Sequence, residues 1–164
     1  MQKLSNSSNW GTKTTQVAEQ LEERLMSCTA KVGIIGLGYV GLPLAMAVGE
    51  AGFDVTGFDI DAEKIIALNR GESYIDAVNN ASLQEHVAAG RFSGTSGFDA
   101  LGSCDVIVIC VPTPLSMNRE PNLAYVEATA EQIARHLRPG QLILLESTTY
   151  PGTTEDLLIP ILER

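Results

Sequence analysis

From residue 31 onward the chain alternates short apolar runs with longer stretches whose apolar residues recur every three or four positions. Residues 31–36 and 54–59, "DVIVICV" from Asp105 and "QLILLES" from Gln141 are short and β-branched or leucine-rich, as expected of strands buried in a sheet. Between them the spacing predicts a helix over 39–51 stopped by Gly52, and a second N-capped by Asp61 and running through Asn69. "NRGESY" reads as a turn, Ser82 and Glu85 as a capping box opening a helix that ends at Gly90, and 91–94 as a short strand. A long helix is predicted from about Asn122 to Leu137, and a last one over 153–163, where Pro160 should kink or fray the final turn. Helices that separate strands imply crossovers, and crossovers imply parallel neighbours. The expected fold is therefore α/β, a doubly wound parallel sheet with helices on both faces.

Upstream of this pattern, residues 1–15 are rich in Ser, Asn and Thr and read as a disordered leader. Val17, Leu21 and Leu25 then recur every four positions, so 16–29 is expected to hold a helix with one apolar face. The folded domain is placed at 30–164. Because the chain closes on a helix, the last strand or strands of a full sheet are expected to be missing. Leu157, Leu158, Ile161 and Leu162 would then form a partly uncovered face, suited to self-association as a homo-oligomer.

The composition narrows the function. A length of 164 residues supports one domain with a real core. The net charge of −9 argues against a nucleic-acid or membrane surface, either of which needs a basic face. Cys28, Cys104 and Cys110 are odd in number and lack a paired or metal-ligand spacing, which favours free thiols in a reducing compartment and no metal site. No apolar run approaches the roughly 20 residues of a membrane span, and the N-terminus lacks the apolar region of a signal peptide, so a cytoplasmic location is expected.

The stretch "GLGYVG" carries the first chemical signal. Gly36, Gly38 and Gly41 have G-x-G-x-x-G spacing, with the first at a strand end and the third inside a helix. Gly36 permits a sharp turn, Gly38 lets backbone approach a pyrophosphate, and Gly41 lets the helix pack closely. Tyr39 and Val40 lie inside this loop. The pattern makes the sheet Rossmann-like. Asp59 ends the next strand 23 positions after Gly36, near the separation of an acid that accepts from a ribose. A carboxylate there repels a 2′-phosphate, so the expected cofactor is NAD rather than NADP; the alternative is that Asp59 only caps the turn before Asp61.

Two further loops follow strands. "CVPTPL" holds Val111, Pro112 and Thr113, with prolines on both sides of the threonine stiffening the backbone that presents its hydroxyl. "ESTTYPGTT" begins with Glu146, a carboxylate at the end of an apolar strand that must meet solvent, a donor network or a substrate. The same residues serve equally well as a turn followed by a helix cap at Thr153.

Together, "GLGYVGLPLA", "GFDID", "VPTPL" with "REPNLAYVE", "LRPGQ" and "ESTTYPGTT" resemble the N-terminal domain of the UDP-glucose/GDP-mannose dehydrogenase family, over about residues 17–164. The likeness is greatest to its branch that oxidises UDP-N-acetyl-hexosamines. The resemblance implies two successive oxidations of a sugar C6 alcohol to a carboxylate with two NAD⁺, through a thiohemiacetal and a thioester on a cysteine, in polysaccharide biosynthesis. It places Thr113 where a catalytic water is positioned, and Glu146 where acid–base chemistry and thioester hydrolysis are assisted. Ser147 and Thr148 fall on the nicotinamide side, Asp59 and Lys64 on ribose-binding positions, and Val111, Pro112 and Thr113 along the cofactor. Met117 stands where a lysine is expected. The family's nucleophilic cysteine, its oxyanion lysine and asparagine, and its partner aspartate fall beyond Arg164. Cys110 and Cys104 border or occupy an apolar strand rather than an electropositive, exposed setting, so this chain is expected to bind NAD without turnover. A stand-alone NAD-binding sensor or scaffold, and a 3-hydroxyacid dehydrogenase sharing the glycine loop, are the competing readings. Neither requires both "VPTP" and "ESTTYP".

Overall fold

The computed structural model describes residues 8–115 and 121–164, with side chains from residue 15 onward. Helix α1 (Ser8–Met26) leads into β1 (Lys31–Ile35), α2 (Gly41–Glu50), β2 (Asp54–Phe58), α3 (Ala62–Asn69), α4 (Asn80–Ala88) and β3 (Phe92–Thr95). A 3-10 turn at Phe98–Ser103 precedes β4 (Val106–Ile109), α5 (Ala124–His136) and β5 (Leu142–Leu145). A wide π turn at Thr154–Leu158 then runs into α6 (Ile159–Leu162). The five strands form one parallel sheet in the order β3-β2-β1-β4-β5. The chain winds outward from β1 through β2 to β3, then returns to β4 on the other side of β1. That reversal creates a crevice at the carboxyl ends of β1 and β4.

The side-chain alternation of the strands divides the interior into two cores. Val32, Ile34, Val55, Val106 and Val108 face Leu42, Met46, Ile65, Leu68 and Leu83 from α2, α3 and α4. Ile35, Phe58, Ile107 and Ile109 face Leu101, Ala130, Ile133, Leu158 and Ile161 on the opposite side. Strand β4 is buried along its whole length, as its β-branched run predicts.

Several elements depart from expectation for identifiable reasons. Residues 8–15, read as disordered, belong to α1, while residues 1–7 lie outside the described residues. Leu21 and Leu25 pack on the first core, and once those turns are anchored each further residue adds a hydrogen bond at little cost. Helix α4 begins before the Ser82 capping box, because Asn79 accepts from the Ala81 amide at 2.7 Å. Strand β5 is an edge strand rather than a fully buried one: Ile143 and Leu145 pack on the second core, while Leu142 and Leu144 stay 37% and 38% exposed. The irregularity caused by Pro160 lies before it, in the π turn, and the helix does not fray. The apolar face of the last helix is partly covered, as expected: Leu158 and Ile161 are buried against the second core, while Leu157 and Leu162 beside them are only partly buried. Among the described residues no helix is long and apolar enough to cross a membrane.

The amino ends of the strands are tied by Asp105, only 4% exposed. Its carboxylate accepts from the Lys31 amide at 3.0 Å and from the Arg138 guanidinium at 2.7 Å, and pairs with Arg24 of α1. Arg138 also donates to the Gly102 and Cys104 carbonyls, both at 2.8 Å, so the α5–β5 turn is held to the start of β4. Burial pushes the Asp105 carboxyl pKa up. The Lys31 amide and the two guanidinia outweigh that, so it lies below the ordinary carboxylate value.

A group with a depressed folded-state pKa stabilises above its unfolded pKa of about 4 and loses that stabilisation as pH falls through the folded value. Asp105→Asn should therefore destabilise the domain by about 2–3 kcal/mol in urea melts at pH 7. The gap to wild type should shrink in melts below about pH 4. A gap that stayed constant with pH would mean that the carboxylate's charge is not what ties this edge together.

Candidate functional site

The carboxyl edge of the sheet is built around a contact between two backbones. Strand β1 ends at Ile35, and Gly36 turns the chain with φ +89°, a conformation L side chains rarely adopt. A β-carbon at Gly36 would lie 2.6 Å from the Cys110 carbonyl oxygen, and one at Gly41 would lie 1.8 Å from the Gly36 carbonyl oxygen. No side chain fits at either place. Gly38 differs, because a β-carbon there would meet nothing within 4 Å and would project into open space. The amides of Tyr39, Val40 and Gly41 find no acceptor among the described residues, and Pro43 supplies no amide in the first turn of α2. These donors at a helix N-terminus suit an anionic group. Tyr39 and Val40 are exposed beside them.

One strand over, Asp59 is half-buried just past β2. One carboxylate oxygen accepts from the Leu37 amide at 3.0 Å and the other from the Asp61 amide at 3.0 Å. The cap reading thus describes one of its two bonds, and the other reaches across to the glycine loop. Asp61 caps α3 by accepting from the Glu63 and Lys64 amides at 3.0 and 3.3 Å, as its position predicted. The Lys64 ammonium lies 4.0 Å from the Asp61 carboxylate and 5.4 Å from the centroid of the Tyr74 ring. The Tyr74 hydroxyl donates to the Leu37 carbonyl at 2.7 Å. Nothing in the sequence singled out Tyr74: it sits in a turn without periodicity, and its partner is 37 residues away.

On the other side of Gly36 the loops after β4 and β5 meet. The Glu146 amide donates to the Ile109 carbonyl at 2.9 Å, which continues the β4–β5 pairing to the crevice. The Ser147 hydroxyl donates to the Val111 carbonyl at 2.8 Å. Thr113 is half-buried between its prolines, whereas Glu146 and Thr148 are exposed. The Asn122 amide donates to the Pro114 carbonyl at 2.8 Å and Leu115 bridges to Pro121, so the loop closes on itself. Met117 lies outside the described residues. Asp59 is thus bonded to Leu37 beside Gly36, the Val111 backbone packs close against Gly36, and Ser147 is bonded to Val111, with Lys64 at one end of this row and Glu146 at the other.

The three cysteines are free. Burial, helped by the charge of Glu146, pushes the Cys110 thiol up to about 11, and burial raises Cys104 as well. Cys28 is exposed but precedes β1, at the opposite edge of the sheet.

The family model for the NAD binding domain of the UDP-glucose/GDP-mannose dehydrogenase family matches residues 30–164. The UDP-N-acetyl-D-glucosamine 6-dehydrogenase of Pseudomonas aeruginosa is 39% identical over 134 residues, 82% of this chain and 31% of that protein. The UDP-N-acetyl-D-mannosamine dehydrogenase of Pyrococcus horikoshii is 37% identical over 128 residues, 77% of this chain and 30% of that protein. A crystal structure of a ternary complex of GDP-mannose dehydrogenase from Pseudomonas aeruginosa superposes with a TM-score of 0.75 at 36% identity, covering 80% of this chain and 31% of that one. The chain thus spans about a third of the length of these relatives. Given the Gly36–Gly38–Gly41 loop, the acid after β2, the parallel sheet and these matches, the chain belongs to the UDP-glucose/GDP-mannose dehydrogenase family and carries its NAD-binding domain.

Proposed function

We propose that this domain serves a nucleotide-sugar 6-dehydrogenase acting on the C6 alcohol of a UDP-sugar, most closely a UDP-N-acetyl-hexosamine, in the cytoplasm. The observation that supports it is the row from Asp59 through the close approach of Gly36 to Val111 and on to Ser147, which spans the edge as an extended dinucleotide would. In this reading the Tyr39, Val40 and Gly41 amides take the pyrophosphate, and the open space at Gly38 admits it. Asp59 and Lys64 receive the adenosine ribose. Val111, Pro112, Thr113, Ser147 and Thr148 flank the nicotinamide. NAD, when bound, supplies the hydride acceptor.

Thr113 and Glu146 then face the reacting end. Thr113 orients a water through its hydroxyl, and Glu146, exposed at the strand end, exchanges protons with it. The two resident thiols at β4 are held protonated by burial and make poor nucleophiles, so covalent chemistry on the sugar is assigned to a cysteine outside these 164 residues. This is the reason to favour a catalytic role shared with other segments over a bare sensor, which needs no glutamate and threonine at the nicotinamide end.

Isothermal titration should show NAD⁺ binding and at least tenfold weaker NADP⁺ binding, with Asp59→Ala narrowing that ratio. Absence of binding at millimolar NAD⁺ in a chain with native circular dichroism would sink the proposal. Gly38→Ala should leave stability within about 0.5 kcal/mol, since its methyl enters open space, yet weaken NAD⁺ at least tenfold. Gly41→Ala should instead destabilise the fold, because its methyl meets the Gly36 carbonyl. The chain incubated with NAD⁺ and UDP-N-acetylglucosamine should release no NADH. Measurable NADH would show that the nucleophile lies within it.

A further inference from the structure

We propose that Tyr74 is a positioning residue for the adenosine half of the cofactor, holding the glycine loop through the Leu37 carbonyl and Lys64 through its ring. The inference rests on the reading above in which Asp59 and Lys64 receive the ribose.

Leu37 is fully buried, and its two backbone polar groups are taken by the two residues on the ribose side. Its amide goes to Asp59 and its carbonyl accepts from the Tyr74 hydroxyl. The Gly41 amide has no acceptor among the described residues and stays available beside those of Tyr39 and Val40. Without the hydroxyl, the buried Leu37 segment would lose the bond that braces its carbonyl, and the loop presenting these amides would be held less firmly against the pyrophosphate.

The ring does a second task. Lysine has a flexible four-carbon stem, so an ordered ammonium needs a seat. Lys64 has two: the Asp61 carboxylate at 4.0 Å and the face of Tyr74 at 5.4 Å. Asp61 is in turn tied to Asp59, whose carboxylate accepts from the Asp61 amide at 3.0 Å. Burial, and then the charges of Asp59 and Asp61, raise the Tyr74 phenol far above its usual range, so the hydroxyl stays a donor at any working pH. One side chain thereby links the loop for the pyrophosphate to the cation beside the ribose.

The test is a double-mutant cycle on the full chain, with wild type, Tyr74→Phe, Tyr74→Leu, Lys64→Met and the Tyr74→Leu/Lys64→Met double variant titrated with ADP-ribose and with NAD⁺. Tyr74→Phe keeps the ring and should weaken ADP-ribose about fivefold, the worth of one hydrogen bond. Tyr74→Leu should weaken it by about tenfold or more, and in that background Lys64→Met should cost little further, whereas alone it costs severalfold. The losses should be equal for NAD⁺ and ADP-ribose, because the nicotinamide is not involved. A merely structural tyrosine would lower ligand-free melting temperatures but leave the Lys64→Met penalty the same in both backgrounds. That additivity, or wild-type affinity in Tyr74→Phe, overturns the inference. Wild-type protein that binds NAD⁺ with no loss on Asp59→Ala and Lys64→Met refutes the ribose reading itself, and the inference falls with it.

Discussion

The carbonyl oxygen of Gly36 occupies the place where any other residue at position 41 would put its β-carbon, 1.8 Å away. On its other flank, Gly36 itself sits so close to the Cys110 carbonyl that it too must lack a side chain. These two exclusions let the end of β1, the start of α2 and the end of β4 converge within one backbone thickness. Everything at the carboxyl edge follows from that convergence. Helix α2 starts where the Tyr39, Val40 and Gly41 amides, without acceptors among the described residues, open onto the crevice, Val111 lies against the turn, and Ser147 can reach the Val111 carbonyl from the next loop. A bulkier loop would separate these segments and leave a helix, a strand end and a serine with no common site.

The opposite edge is organised by charge instead of by the absence of side chains. Asp105 gathers the start of β1, helix α1 and the α5–β5 turn onto one buried carboxylate. The two edges suit different tasks. A carboxylate whose acceptor sites are filled by two guanidinia and an amide makes a rigid base, and it leaves little for a ligand. Amides left without acceptors and a glycine facing open space make a receptive surface. The parallel sheet separates the two, since all amino ends lie on one side and all carboxyl ends on the other.

Much of this was legible in the residue order because it depends on local rules. Period-two and period-four apolar spacing predicts strands and helices wherever they are long enough, and Asp61 caps α3 because a short acid ahead of a helix satisfies its first amides. The glycine spacing was legible for the same reason: it describes one turn and the helix that follows. The misread elements were those whose state is set from outside. Residues 8–15 are helical because Leu21 and Leu25 downstream have a core to rest on. Strand β5 has the composition of a buried strand and the exposure of an edge, since neither Leu142 nor Leu144 can signal that no further strand pairs with it here.

By itself, then, the order of residues determined the α/β alternation, the seat for a dinucleotide and the acid beside it, all of which are set by local spacing along one strand, turn and helix. Only the tertiary structure decided that Asp59 also braces the glycine loop, that Tyr74 caps the Leu37 carbonyl while seating Lys64, and that Asp105 clamps three segments at once. The hydrogen bonds among these join residues from different elements, 22 to 81 positions apart. A hydrogen bond across such a span leaves no periodicity in the chain, because what brings its ends together is the packing of the whole sheet.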